Sequence, residues 1–102
     1  EIKRVFWTYD VPSKQTRGEH SHKDCNQFLV CIKGSLTVHT YEKDLKKTFV
    51  LDSSNIGLHI PPKIWALQQN YSKDAVLLVL ASELYDENDY IRSYDEYIKS
   101  IK

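Results

Sequence analysis

From residue 3 to residue 81 the chain breaks into short runs of strand-forming residues, each halted by a turn, and this punctuation restricts the fold more than any other feature. Residues 3–9 are rich in β-branched and aromatic side chains and end in a turn through Asp10, Pro12 and Ser13. A segment containing His20 and His22 follows, then residues 27–33, where Gln27, Leu29 and Cys31 take one face and Phe28, Val30 and Ile32 the other. Apolar residues on both faces predict a strand covered on both sides. Gly34 and Ser35 turn the chain into residues 36–42, and a loop over 43–47 leads to 48–51, which reads as a hairpin. After the turn at residues 52–55, residues 56–60 form a short strand halted by Pro61 and Pro62; residues 64–70 and 75–81 complete the set. Seven or eight such strands, with only three glycines in the chain, predict an all-β sandwich or barrel of the jelly-roll class. With 102 residues the chain is a single domain, 1–102, small enough that oligomerisation is expected to add buried surface.

The chemistry concentrates between Arg17 and Gly34. Side chains one residue apart on a strand point the same way, so His20 and His22 form a paired-imidazole site. Gln27 lies an odd number of residues beyond His22 and shares that face only if a bulge or tight turn falls near residues 23–26. His-x-His, four residues, a polar residue, six residues and Gly resembles the first motif of the cupin barrels, whose fourth position is normally a metal-binding Glu. Here it is Gln27. The second cupin motif falls on residues 61–70 and puts Ala66 where the third ligand imidazole would be. Two imidazoles and a neutral amide make a poor transition-metal site, so no metal and no other cofactor is expected. Without metal, two imidazoles that titrate near neutrality suit a proton transfer between carbon and oxygen. Arg17 adds a fixed cation for a phosphate or a developing enolate. His39 and His59 read as structural, and Trp65, beside the two prolines, is either core or a surface on which a ligand ring stacks.

Fourteen basic and fourteen acidic residues cancel, which leaves no field to attract nucleic acid or an anionic membrane. No apolar run approaches the roughly 18 residues of a membrane span, and two cysteines are too few for a disulfide framework, so a soluble protein of the reducing cytoplasm is expected. The chain opens with Glu1 directly on a strand-like segment, which suggests that residues upstream have been removed. At the other end Ser93 and Glu96 fit a helix capping box, and Tyr94, Ile98 and Ile101 fall on one face of a short helix packed on the barrel.

Several stretches together resemble the sugar 3,4-ketoisomerases, cupins related to the C-terminal half of the WxcM-like proteins. They are Ile2 to Trp7; Arg17-Gly18 with His20, His22 and Lys23; Gly57-Leu58 with Ile60, Pro61, Pro62, Ile64 and Trp65; and Val79 to Ser82 followed by Tyr85, Asp86, Glu87, Asp89, Tyr90, Ile91, Arg92, Tyr94 and Asp95. The resemblance implies a metal-free jelly-roll homodimer that moves the ketone of dTDP-4-oxo-6-deoxyglucose from carbon 4 to carbon 3 through an enediol, in making deoxysugars for surface glycans such as lipopolysaccharide. It further implies His20 or His22 as the base and the other as a proton shuttle. Arg17, Arg4, Gln27 and Trp65 become the expected substrate contacts, and a strand or two is expected ahead of Glu1. The competing readings are a non-catalytic nucleotide-sugar-binding cupin, for which Ala66 is the main argument, and, more distantly, a metal-dependent dioxygenase.

Overall fold

A computed structural model describes residues 1–101. Among these described residues nine strands run in chain order: β1 (Arg4–Tyr9), β2 (Arg17–His22), β3 (Gln27–Lys33), β4 (Leu36–Glu42), β5 (Leu45–Leu51), β6 (Gly57–Ile60), β7 (Trp65–Gln69), β8 (Val76–Ala81) and β9 (Tyr90–Ile91). A 3-10 turn at Glu87–Asp89 precedes β9, and helix α1 (Tyr94–Ser100) follows it. The strands form two sheets, ordered β1-β8-β3-β6 and β5-β4-β7-β2-β9. Every pairing is antiparallel. This is the all-β jelly roll that the strand punctuation predicts, with the short C-terminal helix at one side.

Alternation along the strands builds the core between the sheets. Leu29, Cys31, Leu36, Val38, Leu77 and Val79 are all buried there, together with Tyr71. The opposite face of β1, β8 and β3 is apolar as well, although none of the described residues covers it: Val5, Trp7 and Tyr9 are 51%, 54% and 61% exposed. Register sets these beside Leu80, Leu78 and Val76 of β8, and Phe28 and Val30 of β3 pair the same two leucines from the other side.

Turn chemistry fixes where the strands stop. Gly34 sits at φ +73, and a Cβ there would come within 2.3 Å of Ser72 Oγ and 2.8 Å of Ala75 Cα, so only glycine fits between β3 and the 72–75 turn. The hairpin between β4 and β5 is longer than the sequence suggests, because Lys43 accepts a left-handed φ of 56. That confines the turn to two residues, and pairing resumes at Glu42 with Leu45. Helix α1 begins at Ser93, whose hydroxyl accepts from the Glu96 amide at 3.3 Å, the predicted cap. Tyr97 anchors it: its buried hydroxyl lies 2.8 Å from the Tyr41 carbonyl and 3.0 Å from that of Lys63.

The segment between β8 and α1 is where structure exceeds expectation. Residues 87–91 carry neither the helical nor the strand period, yet they form the 3-10 turn and the edge strand β9, paired through Ser21 with Ile91 and His22 with Tyr90. The Asp86 side chain caps the turn by accepting from the Asn88 amide at 3.0 Å. No helix among the described residues is long and apolar enough to cross a membrane.

Candidate active site

Strand β2 carries both imidazoles to the inner face of its sheet. Its pairing with β7 shifts between Arg17 and His20, at Gly18 (φ +70), where a Cβ would lie 2.9 Å from the Gln68 amide nitrogen. Beyond this irregularity His20 pairs Ala66 and His22 pairs Tyr90. The two rings then meet edge to face with centroids 4.8 Å apart. Tyr90 closes the cluster, 4.9 Å from His20 and 4.3 Å from His22. Its hydroxyl accepts from Arg4 Nη2 at 3.2 Å, which leaves its own proton free to donate.

His22 is buried, and its Nδ1 lies 2.9 Å from Oδ2 of Asp89. The other oxygen of that carboxylate accepts from the Asp24 amide at 2.8 Å, and the Lys23 amide donates to the Asp89 carbonyl at 2.9 Å. Asp89 thus pins the 23–25 turn and His22 at once. Burial pulls the His22 pKa down against the opposing pull of Asp89, while Asp89 is held below the carboxylate range because its hydrogen bonds from His22 and the turn amides outweigh its own burial. The two directions agree on one state at neutral pH: a neutral imidazole donating Nδ1–H to an ionised carboxylate. Its Nε2 is buried without a partner, an acceptor facing inward.

His20 has no such support. Burial, the neighbouring His22, and the guanidiniums of Arg92 and Arg4 lower its pKa from 6.5 to about 4. Arg92 is held in turn by Glu87, whose carboxylate it grips at 2.7 and 2.9 Å, and its guanidinium lies 4.3 Å over the Tyr90 ring. Arg4 is flanked by the rings of Phe6 and Tyr85, at 5.0 and 5.5 Å. Two fixed cations therefore face a pair of neutral imidazoles, an arrangement that accepts a proton while offsetting negative charge on a substrate oxygen.

A cleft of about 350 Å³ opens onto His20 and is lined by Arg17, Gln27, Phe6 and Gln68 among others. Of the residues singled out from sequence, His20, Arg17 and Gln27 share this cleft, and His22 and Arg4 join them through Tyr90. The turn at 23–26 that Gln27 required is present. Trp65 lies elsewhere. It alternates with Ala66 on β7, so when Ala66 faces His20 the indole points out of the barrel, where it is buried against Tyr94 and Tyr97 at 5.4 and 5.8 Å. It packs the helix. His39 is held by Thr48 and Gln69 at 2.9 and 2.8 Å, and His59 by Asn26 at 2.9 Å, both away from the pair. At the positions where cupins bind metal, this barrel offers His20, His22, the Gln27 amide and the Ala66 methyl, a donor set that does not fit a tightly held transition metal.

Sequence reasoning assigned no role to Asp89, Tyr90, Arg92 or Glu87. The available signal was a run from Tyr85 to Arg92 dense in ionisable and aromatic side chains yet lacking a secondary-structure period.

Comparison with known proteins places these features in company. The family described as FdtA, WxcM-like, C-terminal, matches residues 1–102. A TDP-4-oxo-6-deoxy-α-D-glucose-3,4-oxoisomerase of Aneurinibacillus thermoaerophilus is 42% identical over 100 residues, covering 98% of this chain and 72% of that protein. A 3,4-ketoisomerase from Helicobacter canadensis superposes with TM-score 0.96 at 40% identity, over 99% of this chain and 76% of its own. The QdtA 3,4-ketoisomerase of Thermoanaerobacterium thermosaccharolyticum, in mutant form with TDP-4-keto-6-deoxyglucose bound, gives 0.97 at 42%, over 99% and 73%.

The low His20 pKa has a measurable consequence. Because the folded value lies below 6.5, the unfolded chain takes up that proton first as pH falls; the stability due to neutral His20 is complete above 6.5 and is lost between 6.5 and about 4. NMR of the imidazole ring is expected to find His20 neutral at about pH 5.5, with urea stability declining below neutrality. A His20 titration at the ordinary value would contradict the geometry.

Proposed function

Since the chain belongs to the WxcM-like C-terminal family, we propose that it is a metal-independent isomerase of deoxysugar biosynthesis that moves the ketone of TDP-4-oxo-6-deoxyglucose from carbon 4 to carbon 3. The observation that carries this reading is the pair of neutral imidazoles beside two fixed guanidiniums, one of the imidazoles, His20, lining a cleft of about 350 Å³.

The 4-oxo group acidifies the hydrogen on carbon 3. His20, which lines the cleft, removes it; the electron pair moves onto the carbonyl oxygen, and an enediolate forms. Arg4 and Arg92, the cations that depress His20, face this oxygen's charge, and the Tyr90 hydroxyl is free to donate to it. Approach of the anionic substrate itself raises the basicity of His20 at the moment it is needed. Reprotonation at carbon 4, and passage of the hydroxyl proton from the oxygen on carbon 3 to the oxygen on carbon 4, complete the shift. His22 relays that second proton through Nε2, because Asp89 keeps its Nδ1 protonated. Arg17 and Gln27 hold the remainder of the nucleotide sugar along the cleft.

We further infer that two copies associate through the uncovered apolar face of β1, β8 and β3, where Val5, Trp7, Tyr9 and Phe28 would otherwise meet water. Sedimentation at micromolar concentration is expected to return a dimer, and Trp7→Asp should shift it toward monomer. A wild-type monomer would refute the interface.

The catalytic reading is tested by converting TDP-4-oxo-6-deoxyglucose with wild type and four variants. His20→Asn or His22→Asn is expected to lower kcat by about 10²- to 10⁴-fold, the usual worth of a positioned acid or base, with TDP binding retained. His39→Asn and His59→Asn should cost less than about tenfold, since neither ring touches the site. Near-normal rates in both His20→Asn and His22→Asn would remove the proposed mechanism.

A further inference from the structure

Behind His22 lies a second constellation, built of His22, Asp89 and a thiol, that of Cys25, which the proposed isomerase chemistry leaves unused. A ring nitrogen of His22, Cys25 Sγ and a carboxylate oxygen of Asp89 all fall within 4.8 Å of one another; His22 and Cys25 are buried and the Asp89 side chain is 11% exposed. The 23–25 turn brings the thiol round. Its ends are tied to Asp89 by the Lys23 and Asp24 amides, at 2.9 and 2.8 Å, so imidazole and thiol sit three residues apart in a spacing common among metal-binding turns. Cys25 is a free cysteine whose Sγ donates to the Asn26 carbonyl at 3.3 Å.

A nitrogen, a sulfur and an oxygen donor suit a thiophilic d10 cation and not magnesium or calcium, which take oxygen ligands. Ligand bonds of about 2.0 to 2.3 Å place tetrahedral donors roughly 3.3 to 3.8 Å apart, so the present spread needs a contraction of about an ångström. A cleft of about 400 Å³ ends on Asp89 and is lined by three further carboxylates, Asp24, Glu83 and Asp86. Against them stands Lys3, whose ammonium is 3.8 Å from Glu83. Excess negative charge at a concave surface concentrates cations.

We propose that His22, Cys25 and Asp89 form an inhibitory site for a thiophilic divalent cation such as Zn²⁺, which shares only His22 with the barrel position at which cupins bind metal. The ion replaces the protons on Cys25 Sγ and His22 Nδ1. The imidazole takes one proton back on Nε2, so one proton is released overall. His22 then carries its proton on the inward nitrogen and can no longer accept there, and the relay stops. The inhibitory consequence rests on the role of His22 proposed above, whereas the binding does not.

The test uses the intact protein and two metals. Cd²⁺ titration is expected to raise the ultraviolet thiolate-to-cadmium charge-transfer band, saturating at one ion per chain in wild type and in Cys31→Ser. Cys25→Ser, and Cys25→Ala as a second variant, should lose the band while keeping the circular dichroism of the fold and the basal turnover. Zn²⁺ should suppress wild-type turnover, and Cys25→Ser should need at least about 100-fold more of it, a larger loss than an outer-shell partner typically causes. A missing band in wild type, or a band that persists in a folded Cys25→Ser, overturns the site. A Cys25-dependent band without inhibition overturns the regulatory role and removes His22 from the proton path. Failure of the substrate to react at all would strike the proposed activity and leave the cadmium result standing.

Discussion

The hydrogen bond between His22 Nδ1 and Asp89 Oδ2 joins two segments 67 residues apart in sequence, and the geometry of the site depends on it. On one side it fixes the tautomer of an imidazole that neutral solvent would otherwise leave free to exchange. On the other it holds the 3-10 turn and β9 against β2, which sets Tyr90 over both rings and carries Arg92 to its place. Removing one member of a hydrogen-bonded pair whose other member is buried, as His22 is, costs more than the pair contributes in isolation. Loss of Asp89 would therefore disturb tautomer, turn and edge strand together.

Much of the fold was legible because the jelly roll depends on features that a sequence displays: turn residues at short intervals, alternation within strands, and a capping box before the helix. Ser93 and Glu96 are local signals, as are Gly34 and the two prolines after β6. The paired imidazoles were legible for the same reason, since period two alone puts His20 and His22 on one face. What stayed hidden is long-range. Asp89 has no distinguishing local environment, and only the crossing of the 86–91 segment over β2 gives it a partner. Trp65 was ambiguous because aromatic burial and aromatic stacking look alike in sequence; which face of β7 it takes follows from the pairing of Ala66 with His20. A turn confined to Lys43 and Asp44 was equally invisible, because nothing in those residue types announces a left-handed backbone.

In the proposed reaction, electrostatics divides the labour between the two histidines. His20 is partly buried, with cations around it and no carboxylate hydrogen-bonded to it, which keeps it neutral and weakly basic until an anion arrives. His22 has a carboxylate behind it and stays neutral because it is buried. Neighbours of opposite sign thus give one strand two imidazoles with different chemistry, one exposed to the cleft and one set back from it.

The central claim is that a carbon-bound hydrogen leaves the sugar as a proton, onto an imidazole that exchanges with solvent. Turnover in deuterium oxide, followed by NMR of the product, tests this most directly. Transfer through His20 and His22 places one solvent deuterium on carbon 4 of the 3-oxo sugar. Product that forms at full rate with only protium at carbon 4 would mean that the hydrogen taken from carbon 3 reaches carbon 4 without exchanging with solvent, which contradicts that claim.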